Sequence, residues 1–346
     1  MSSLTYTAYV TRRLVKYSGV IFGSFFVLYT VITWGINAWI AAHPPYVPPD
    51  TRYGVLPKIQ FPAKKFDKKN FTFEMPNDKF PTVDDKFRVY FVARPDTAFL
   101  ALEQDKKTAA DLGFKDEPKE VGYGIYEFTN STSSLKLTMN VLDGSFHLKY
   151  PYETDQMLLN PEKVLSKDEA LLEAKSYLGQ ADKLPTDLVG GLQKVSFWKI
   201  EYSGLKAVSS QSEANVTRVD FFRQDLESKY KIVTADVNSA TVSVVLTGSS
   251  IQNRKAIEVN YRYSPIDRES FGTYPIKTVD QAVNDLKIGN YWPAYDSVGN
   301  SATIRKIYLA FFEPMNLTNY MQPVFVFEGD NNFVAYVSAV TDKYVK

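Results

Sequence analysis

The sequence predicts an α+β protein with one N-terminal transmembrane helix, followed by three serial modules that each consist of a helix packed on an antiparallel sheet. Three observations predict this architecture. Residues 17–40 contain no charged side chain, and six of the 19 residues from Pro44 to Pro62 are proline. Beyond the prolines, a helix-like segment and several alternating strand-like segments occur together three times. Because an antiparallel sheet must bury one face, a neighbouring helix provides the cover.

The uncharged run is long enough to cross a bilayer. Its 24 residues exceed the about 20 helical residues that span the hydrocarbon core. Three basic side chains lie just before it, at Arg12, Arg13 and Lys16. The next Lys or Arg is Arg52. The positive-inside rule therefore places residues 1–16 in the cytoplasm, residues 17–41 in the cell membrane as a single-pass anchor, and the bulk of the chain outside the cytoplasm.

A cleaved signal peptide is the alternative interpretation of this run. Signal peptides have an apolar core of about 7–15 residues and a cleavage site with small residues. The run is longer than that, and residues 39–42 (Trp-Ile-Ala-Ala) match such a site poorly, so a retained anchor is favoured. Within the anchor, Gly19 and Gly23 have the spacing of small residues that lets two membrane helices approach closely. A homo-oligomer formed through this pair is one interpretation of the spacing.

The segment after the anchor, residues 42–69, is rich in proline and lysine. Proline-rich chain is extended and semi-rigid, so the segment is predicted to be a stalk. Five lysines lie in its second half, at Lys58, Lys64, Lys65, Lys68 and Lys69. They could bind anionic lipid or wall polymer, or they could simply be solvated, and the sequence leaves both interpretations open.

Three modules are predicted beyond the stalk, at residues 70–155, 161–263 and 275–346. Their helices are expected at 99–112, 166–178 and 278–288. A capping box at Ser166 and Glu169 marks the start of the second helix, and Thr278 is the expected N-cap of the third. The apolar spacing in these two helices predicts which side chains face the sheets: Leu171, Ala174, Leu178, Val283 and Leu286.

Composition argues against several classes of function. The net charge of +1 offers no basic excess for nucleic-acid binding. There is no cysteine and there are only two histidines, His43 and His147, so the usual catalytic triads and zinc sites lack their residues. We therefore predict no catalytic, cofactor-binding or metal-binding residue and no enzyme activity. The alternative, a carboxylate-based hydrolase, would need two Asp or Glu side chains about 5–10 Å apart in a cleft.

Two pairs have the serine–lysine spacing found in some hydrolases, Ser133 with Lys136 and Ser203 with Lys206. Both pairs lie in sequence that is typical of strands or turns. In a strand, residues i and i+3 point to opposite faces, so these pairs are interpreted as structural.

The last module resembles the YycH/YycI-type membrane-anchored regulators and the PepSY-like repeat domains. The residues that carry this resemblance are Thr278 and Ala282 at the start of a helix, the strand at residues 307–312 and the proline-aromatic strand at residues 323–327. Residues 166–170 open the second module in a similar but looser way. The layout of a short tail, one membrane helix and a serial α+β region is also similar.

This resemblance implies a non-enzymatic protein that regulates an envelope partner, such as a sensor kinase, in a bacterial cell envelope. Two alternatives remain at this point. The chain could be a structural subunit of an envelope, secretion or pilus assembly. It could also be an envelope protease inhibitor, since PepSY-like modules include inhibitors and pro-segments. In each case a protein partner in the envelope is expected.

Overall fold

A 40-residue helix, α1 (Ser3–Ala42), begins the computed structural model, which describes residues 3–43, 46–63, 66, 68–93, 101–130, 133–316 and 318–346. The chain divides into an N-terminal unit, Met1–Pro48, and a C-terminal unit, Pro49–Lys346. Helix α1 is about 60 Å long at 1.5 Å per residue. It is apolar over a length that can cross a membrane, and none of that stretch is buried. It is therefore a candidate membrane anchor, and it is longer than the predicted 17–41 because part of the N-terminal tail is also helical.

Five further helices lie in the C-terminal unit: α2 (Ala101–Asp111), α3 (Gln156–Leu159), α4 (Lys167–Gln180), α5 (Thr186–Val189) and α6 (Val279–Ile288). The three predicted helices correspond to α2, α4 and α6, although residues 99 and 100 lie outside the described part. Both capping predictions are confirmed, because Ser166 and Thr278 each form a complete capping box. Of the side chains predicted to face the sheets, four are buried and Leu171 is partly buried.

The strands are β1 (Asn70–Phe73), β2 (Lys86–Val92), β3 (Lys119–Gly122), β4 (Ile125–Asn130), β5 (Ser133–Asn140), β6 (Ser145–Lys149), β7 (Gln193–Glu201), β8 (Gly204–Val208), β9 (Val216–Phe221), β10 (Ile232–Thr234), β11 (Val242–Leu246), β12 (Ala256–Tyr261), β13 (Ile266–Pro275), β14 (Trp292–Tyr295), β15 (Ser301–Glu313), β16 (Tyr320–Gly329) and β17 (Val334–Ser338). They form two sheets, one of nine strands and one of eight.

The nine-stranded sheet is antiparallel throughout, in the order β3-β4-β5-β6-β12-β11-β9-β7-β8. Its register aligns an apolar row across seven strands, through Phe128, Leu137, Leu148, Val259, Val244, Val219 and Val195. The row one residue away is polar: Glu127, Thr138, His147, Asn260, Ser243, Asp220 and Lys194. Since alternate residues point to opposite faces, one face is apolar and the other polar. The apolar face shares one core with Ala109 of α2 and with Ala174 and Leu178 of α4.

The eight-stranded sheet is mixed. Strands β15, β16, β17 and β14 are antiparallel neighbours, while β1 and β10 both pair with β15 in parallel. Strand β2 pairs with β13 and with the start of β16. One face packs on Val283 and Leu286 of α6. The other face is apolar as well, and it forms a second, smaller core around Phe312, Val324 and Tyr336.

The strands are not grouped into three separate sheets, as the three-module prediction required. The strands expected in the first module are divided, because β1 and β2 join the eight-stranded sheet whereas β3 to β6 continue into the strands of the second module. The junction is the pairing of β6 with β12, with Leu148 opposite Val259. The alternation in the sequence defines which face of each strand is buried but carries no information on its neighbour. The module boundaries themselves stay predictions.

Part of the predicted stalk packs against the rest of the C-terminal unit. We call residues 49–63 the strap. Leu56 is buried, and its N–H donates to the Tyr344 carbonyl at 2.8 Å, while Lys346 N–H donates back to the Leu56 carbonyl at 2.9 Å. The Phe61 ring stacks on Trp292 at 5.8 Å between centroids. Only the residues before Pro49 belong to the N-terminal unit. The part of the predicted stalk, 42–69, that lies outside the C-terminal unit is therefore much shorter than predicted.

Candidate functional site

A cavity with a volume of about 820 Å³ lies between the two sheets. We call it the inter-sheet cavity. Its floor is the second apolar face of the eight-stranded sheet, where register places Tyr308, Val326 and Tyr336 side by side on β15, β16 and β17. Leu192 and Lys194, at the start of β7, line the opposite wall. The cavity therefore brings residues of both sheets together.

The cavity exists because the second apolar face is only partly covered. Val233 and Val237 pack on this face, and Ile59 and Phe61 of the strap do so as well. No helix among the described residues belongs to this core. Strand β10 carries Val233 and pairs with β15 along one edge, and it has no other strand partner among the described residues. A sheet with two apolar faces needs two covering layers, and here the second layer is incomplete.

Charged side chains of both signs line the inter-sheet cavity. Glu328 accepts a hydrogen bond from the Tyr308 hydroxyl at 2.5 Å, so its carboxylate already has a partner. Lys231 lies with its Nζ 5.5 Å from the centroid of the Tyr308 ring, and Lys194 Nζ donates to Asn238 Oδ1 at 2.6 Å. Neither lysine forms an ion pair within the described part of the chain. Asp225 is exposed at the rim.

A buried charge cluster lies at the back of the cavity, where the chain leaves β9. The Arg223 guanidinium donates from Nε to Asp187 Oδ2 at 2.8 Å and from Nη1 to Glu313 Oε1 at 3.1 Å. Asp187 also accepts from the Tyr263 hydroxyl at 2.9 Å, and Glu313 accepts from the Thr241 hydroxyl at 3.2 Å. Because Asp187 precedes β7 and Glu313 ends β15, Arg223 links the two sheets. We call Asp187, Arg223 and Glu313 the clasp.

Burial raises the pKa of Glu313, and the neighbouring Arg223 opposes that rise. The Arg223 pKa is itself raised, since its two carboxylate partners outweigh the effect of burial. The clasp is thus a buried cation held between two acids that are both hydrogen-bonded, an arrangement that is costly to break by removing one partner. Each of these groups hydrogen-bonds to a partner within the C-terminal unit.

A smaller cavity, of about 220 Å³, lies on the other side of the clasp. Arg223 and Glu313 line it together with Asp143 and Ser145 of the β5–β6 turn and Arg262 after β12. Arg262 donates to the Met315 carbonyl at 3.4 Å, and Ser145 N–H donates to Asp143 at 2.8 Å. The clasp thus separates two cavities, and each cavity has walls from both sheets.

The residues singled out in the sequence do not line these two cavities. Lys58, from the lysine-rich segment, lines a third, small cavity beside the strap. Ser133 and Lys136 lie in β5, and Ser203 and Lys206 lie at the β7–β8 turn, so neither pair is on a helical turn. His147 is exposed on the polar row of the nine-stranded sheet. No group of three or more His, Cys, Asp or Glu side chains that could hold a metal ion is found among the described residues.

The lysines of the predicted stalk differ from one another. Lys69 is buried, and its Nζ donates to the carbonyls of Ser297 and Gly299 and forms an ion pair with Asp296 at 3.1 Å, so it cannot contact lipid or polymer. Lys58 and Lys68 are exposed, whereas Lys64 and Lys65 lie outside the described residues. Gly19 and Gly23 are exposed on α1 with no side chain near them, and dimerisation through them stays a prediction.

The clasp could not be recognised from the sequence. Arg223, Asp187 and Glu313 are far apart in the chain, and each follows or precedes a strand in a way that is common for surface charges. One signal was present: Arg223 directly follows the apolar residues Phe221 and Phe222, and Glu313 directly follows Phe311 and Phe312. A charge that continues a buried strand is a candidate for a buried ion pair.

No protein-family model matches this sequence, and no curated protein sequence matches it. Among solved structures, an uncharacterized protein from Eubacterium rectale shares 11% identity, with 80% of this chain and 88% of that chain covered at a TM-score of 0.39. The YpeB C-terminal domain of Bacillus megaterium shares 12% identity, with 72% and 95% covered at a TM-score of 0.31. At these TM-scores neither structure establishes a shared fold or function, and the resemblance to YycH/YycI-type and PepSY-like proteins stays a prediction from the sequence.

Proposed function

We propose that this chain is a single-pass protein of the cell membrane whose C-terminal unit lies outside the cytoplasm and binds a protein partner without catalysing a reaction. The observation that carries the proposal is the open inter-sheet cavity in a chain that also has a long, unburied apolar helix. A retained membrane helix keeps such a binding unit close to other envelope proteins. By the sequence resemblance, the bound partner is a regulated protein such as a sensor kinase.

The side-chain chemistry also supports binding over catalysis. The buried charged groups of the clasp are paired with one another, and buried Lys69 and Lys277 are likewise paired with carboxylates. Asp225 and Glu328 are the two carboxylates that line the inter-sheet cavity. They are the pair that a carboxylate-based hydrolase would use there.

The enzyme alternative is tested by removing this pair of carboxylates. The purified full-length chain is assayed with glycoside, ester and peptide substrates next to Asp225→Asn and Glu328→Gln variants. We expect no turnover by any of the three proteins. Turnover by the natural chain that both substitutions abolish would establish a hydrolase and replace the binding proposal.

The binding proposal is tested by site-specific crosslinking in intact cells. A photo-crosslinking residue is placed at Leu192, which is 67% exposed at the cavity wall, and at Val20 in α1, with Tyr202 as a matched control because it is 97% exposed at a distant turn. We expect a defined adduct from Leu192 and Val20 and none from Tyr202. A sensor kinase in the adduct supports regulation, whereas many self-copies or secretion components support an assembly subunit. Recovery of the monomer alone from every position would contradict the proposal.

A further inference from the structure

We infer that the inter-sheet cavity binds an extended peptide segment that carries apolar side chains and a carboxylate. This inference rests on the proposed binding function and names the chemistry of the partner. Three properties of the cavity lead to it: an apolar floor, a strand edge with no partner strand, and two lysines without carboxylate partners.

The apolar floor suits side chains that alternate along a strand. Tyr308, Val326 and Tyr336 form one row of the floor, and Val334 lies beside them on β17. The volume of about 820 Å³ lies within the range of roughly 300–1,000 Å³ of clefts that enclose ligands. Apolar side chains placed over this floor would complete the layer that Val237 and the strap supply only in part.

The open edge of β10 provides the backbone groups that a peptide would pair with. Residues 232–234 all line the cavity, and β10 is bound to β15 along its other edge. An extended segment that pairs with an exposed sheet edge gains main-chain hydrogen bonds, while pockets for alternate side chains give specificity. A ligand without a peptide backbone could not use this edge.

The charges favour a carboxylate on the peptide. Lys194 and Lys231 approach the cavity from opposite walls, and within the described residues neither forms an ion pair. Glu328 forms an ion pair with Lys306, whose Nζ lies 3.9 Å from Glu328 Oε2, which leaves Asp225 at the rim as the lining carboxylate without an ion pair among the described residues. Two cations against one free acid attract an anionic group, and the apolar walls around it raise the strength of that attraction.

The test is calorimetric titration of the full-length chain, in detergent micelles, with a synthetic hexapeptide of sequence Val-Thr-Val-Thr-Val-Asp that has a free C-terminus. Three comparison ligands separate the contributions. The first has Asn in place of Asp and an amidated C-terminus, the second carries N-methyl groups on alternate backbone nitrogens, and the third is decanoate, a carboxylate with an apolar chain but no peptide backbone. We expect the unmodified peptide to bind and each comparison ligand to bind at least tenfold more weakly.

The double variant Lys194→Gln/Lys231→Gln should weaken binding of the peptide about tenfold or more but leave the weak binding of the amidated peptide unchanged. Lys107→Gln is the control, since Lys107 is exposed on α2 away from the cavity. Val334→Trp should weaken binding of every ligand by filling the cavity without adding a charge. Circular dichroism of each variant checks that it is folded.

Equal affinity for the N-methylated peptide or for decanoate would overturn the inference, and so would affinity that is unchanged in both the lysine double variant and Val334→Trp. Absence of peptide binding would overturn it too. If crosslinking at Leu192 still captures a defined partner in that case, the proposed function stands and only the peptide chemistry is wrong. If crosslinking also recovers only the monomer, both proposals fail.

Discussion

The two sheets of the C-terminal unit bury their apolar surface in different ways. The nine-stranded sheet has one apolar row and one polar row, so the layer that includes α2 and α4 is sufficient cover. The eight-stranded sheet is apolar on both faces, and within the described part of the chain a helix, α6, belongs to the core of one face but not of the other. Its second face is covered by short segments of chain that leave a cavity. The difference shows how a binding site can arise where a two-faced sheet lacks a complete second layer.

The largest effect is expected where the two sheets are joined. Arg223→Met removes the cation of the clasp and leaves Asp187 and Glu313 buried without it. We expect a loss of about 3–5 kcal/mol in the free energy of unfolding, measured by denaturant titration. Without the cation, burial keeps the pKa of Glu313 raised above its unfolded value. A buried acid with a raised pKa makes the folded protein less stable as the pH rises. The decrease in the free energy of unfolding caused by Arg223→Met should therefore be larger at pH 8 than at pH 5.

A triple variant is the control for the clasp. Asp187→Asn and Glu313→Gln, added to Arg223→Met, remove both uncompensated charges, and replacing a complete buried ion network is often close to neutral. Recovery of most of the lost stability is expected. If the triple variant is as unstable as Arg223→Met, and the stability of neither variant depends on pH, the clasp stabilises the fold by the packing of its side chains and not by their charges.

The two faces of β17 provide a direct comparison of the complete and incomplete layers. Val337 is buried on the face that packs against α6, whereas Val334 faces the inter-sheet cavity. Val337→Phe should cost about 1–3 kcal/mol because a well-packed core does not accept extra volume. Val334→Phe should change the free energy of unfolding by less than about 0.5 kcal/mol. Similar costs at both positions, measured by thermal and denaturant unfolding, would mean that the cavity is closed in solution.

The helices in the two cores also differ, because α2 carries a buried acid. Burial raises the pKa of Asp105 to about 6, and its Oδ2 has no hydrogen-bond partner in the described structure. The unfolded value is about 3.9. The contribution of the Asp105 carboxyl group to the free energy of unfolding is therefore fully present below about pH 4 and is lost as the pH rises through about 6.

Asp105→Asn should accordingly raise the free energy of unfolding at pH 7.5 by about 1–2 kcal/mol and flatten its pH dependence between pH 4 and 6. The matched control is Asp111→Asn, at an exposed position of the same helix, where no such change is expected. An unaltered pH profile in Asp105→Asn would show that this carboxylate is solvated.

The smallest effect is expected on the polar face of the nine-stranded sheet. Thr138 lies in the polar row between Glu127 and His147. Thr138→Val should change the free energy of unfolding by no more than about 0.5 kcal/mol, since Thr138 is only partly buried, unlike Asp220 and Ser243 of the same row. A large change in either direction, measured by denaturant unfolding, would reveal a covering layer over Thr138.

Local features of the fold were predictable from the sequence, and long-range ones were not. The capping boxes at Ser166 and Thr278 and the inward side chains Ala174 and Leu286 follow from spacing within one helix. The assignment of β2 to the eight-stranded sheet depends on its pairing with β13, which is distant in sequence. The cavity could be foreseen only in part: the apolar run of β16 indicates burial on both faces, but nothing local shows that one cover is incomplete.

The strap has a consequence for the order in which the chain folds. Leu56 is bonded to Tyr344 and Lys346 at the opposite end of the C-terminal unit, and β1 and β2 pair with strands that come late in the chain. During synthesis these early segments emerge long before their partners exist. Their edges and apolar side chains stay unpaired until the partner segments have emerged, and such surfaces are prone to aggregation. The eight-stranded sheet therefore cannot be completed before its late strands are made, and a variant truncated before Tyr344 would lack the closing contacts of the strap.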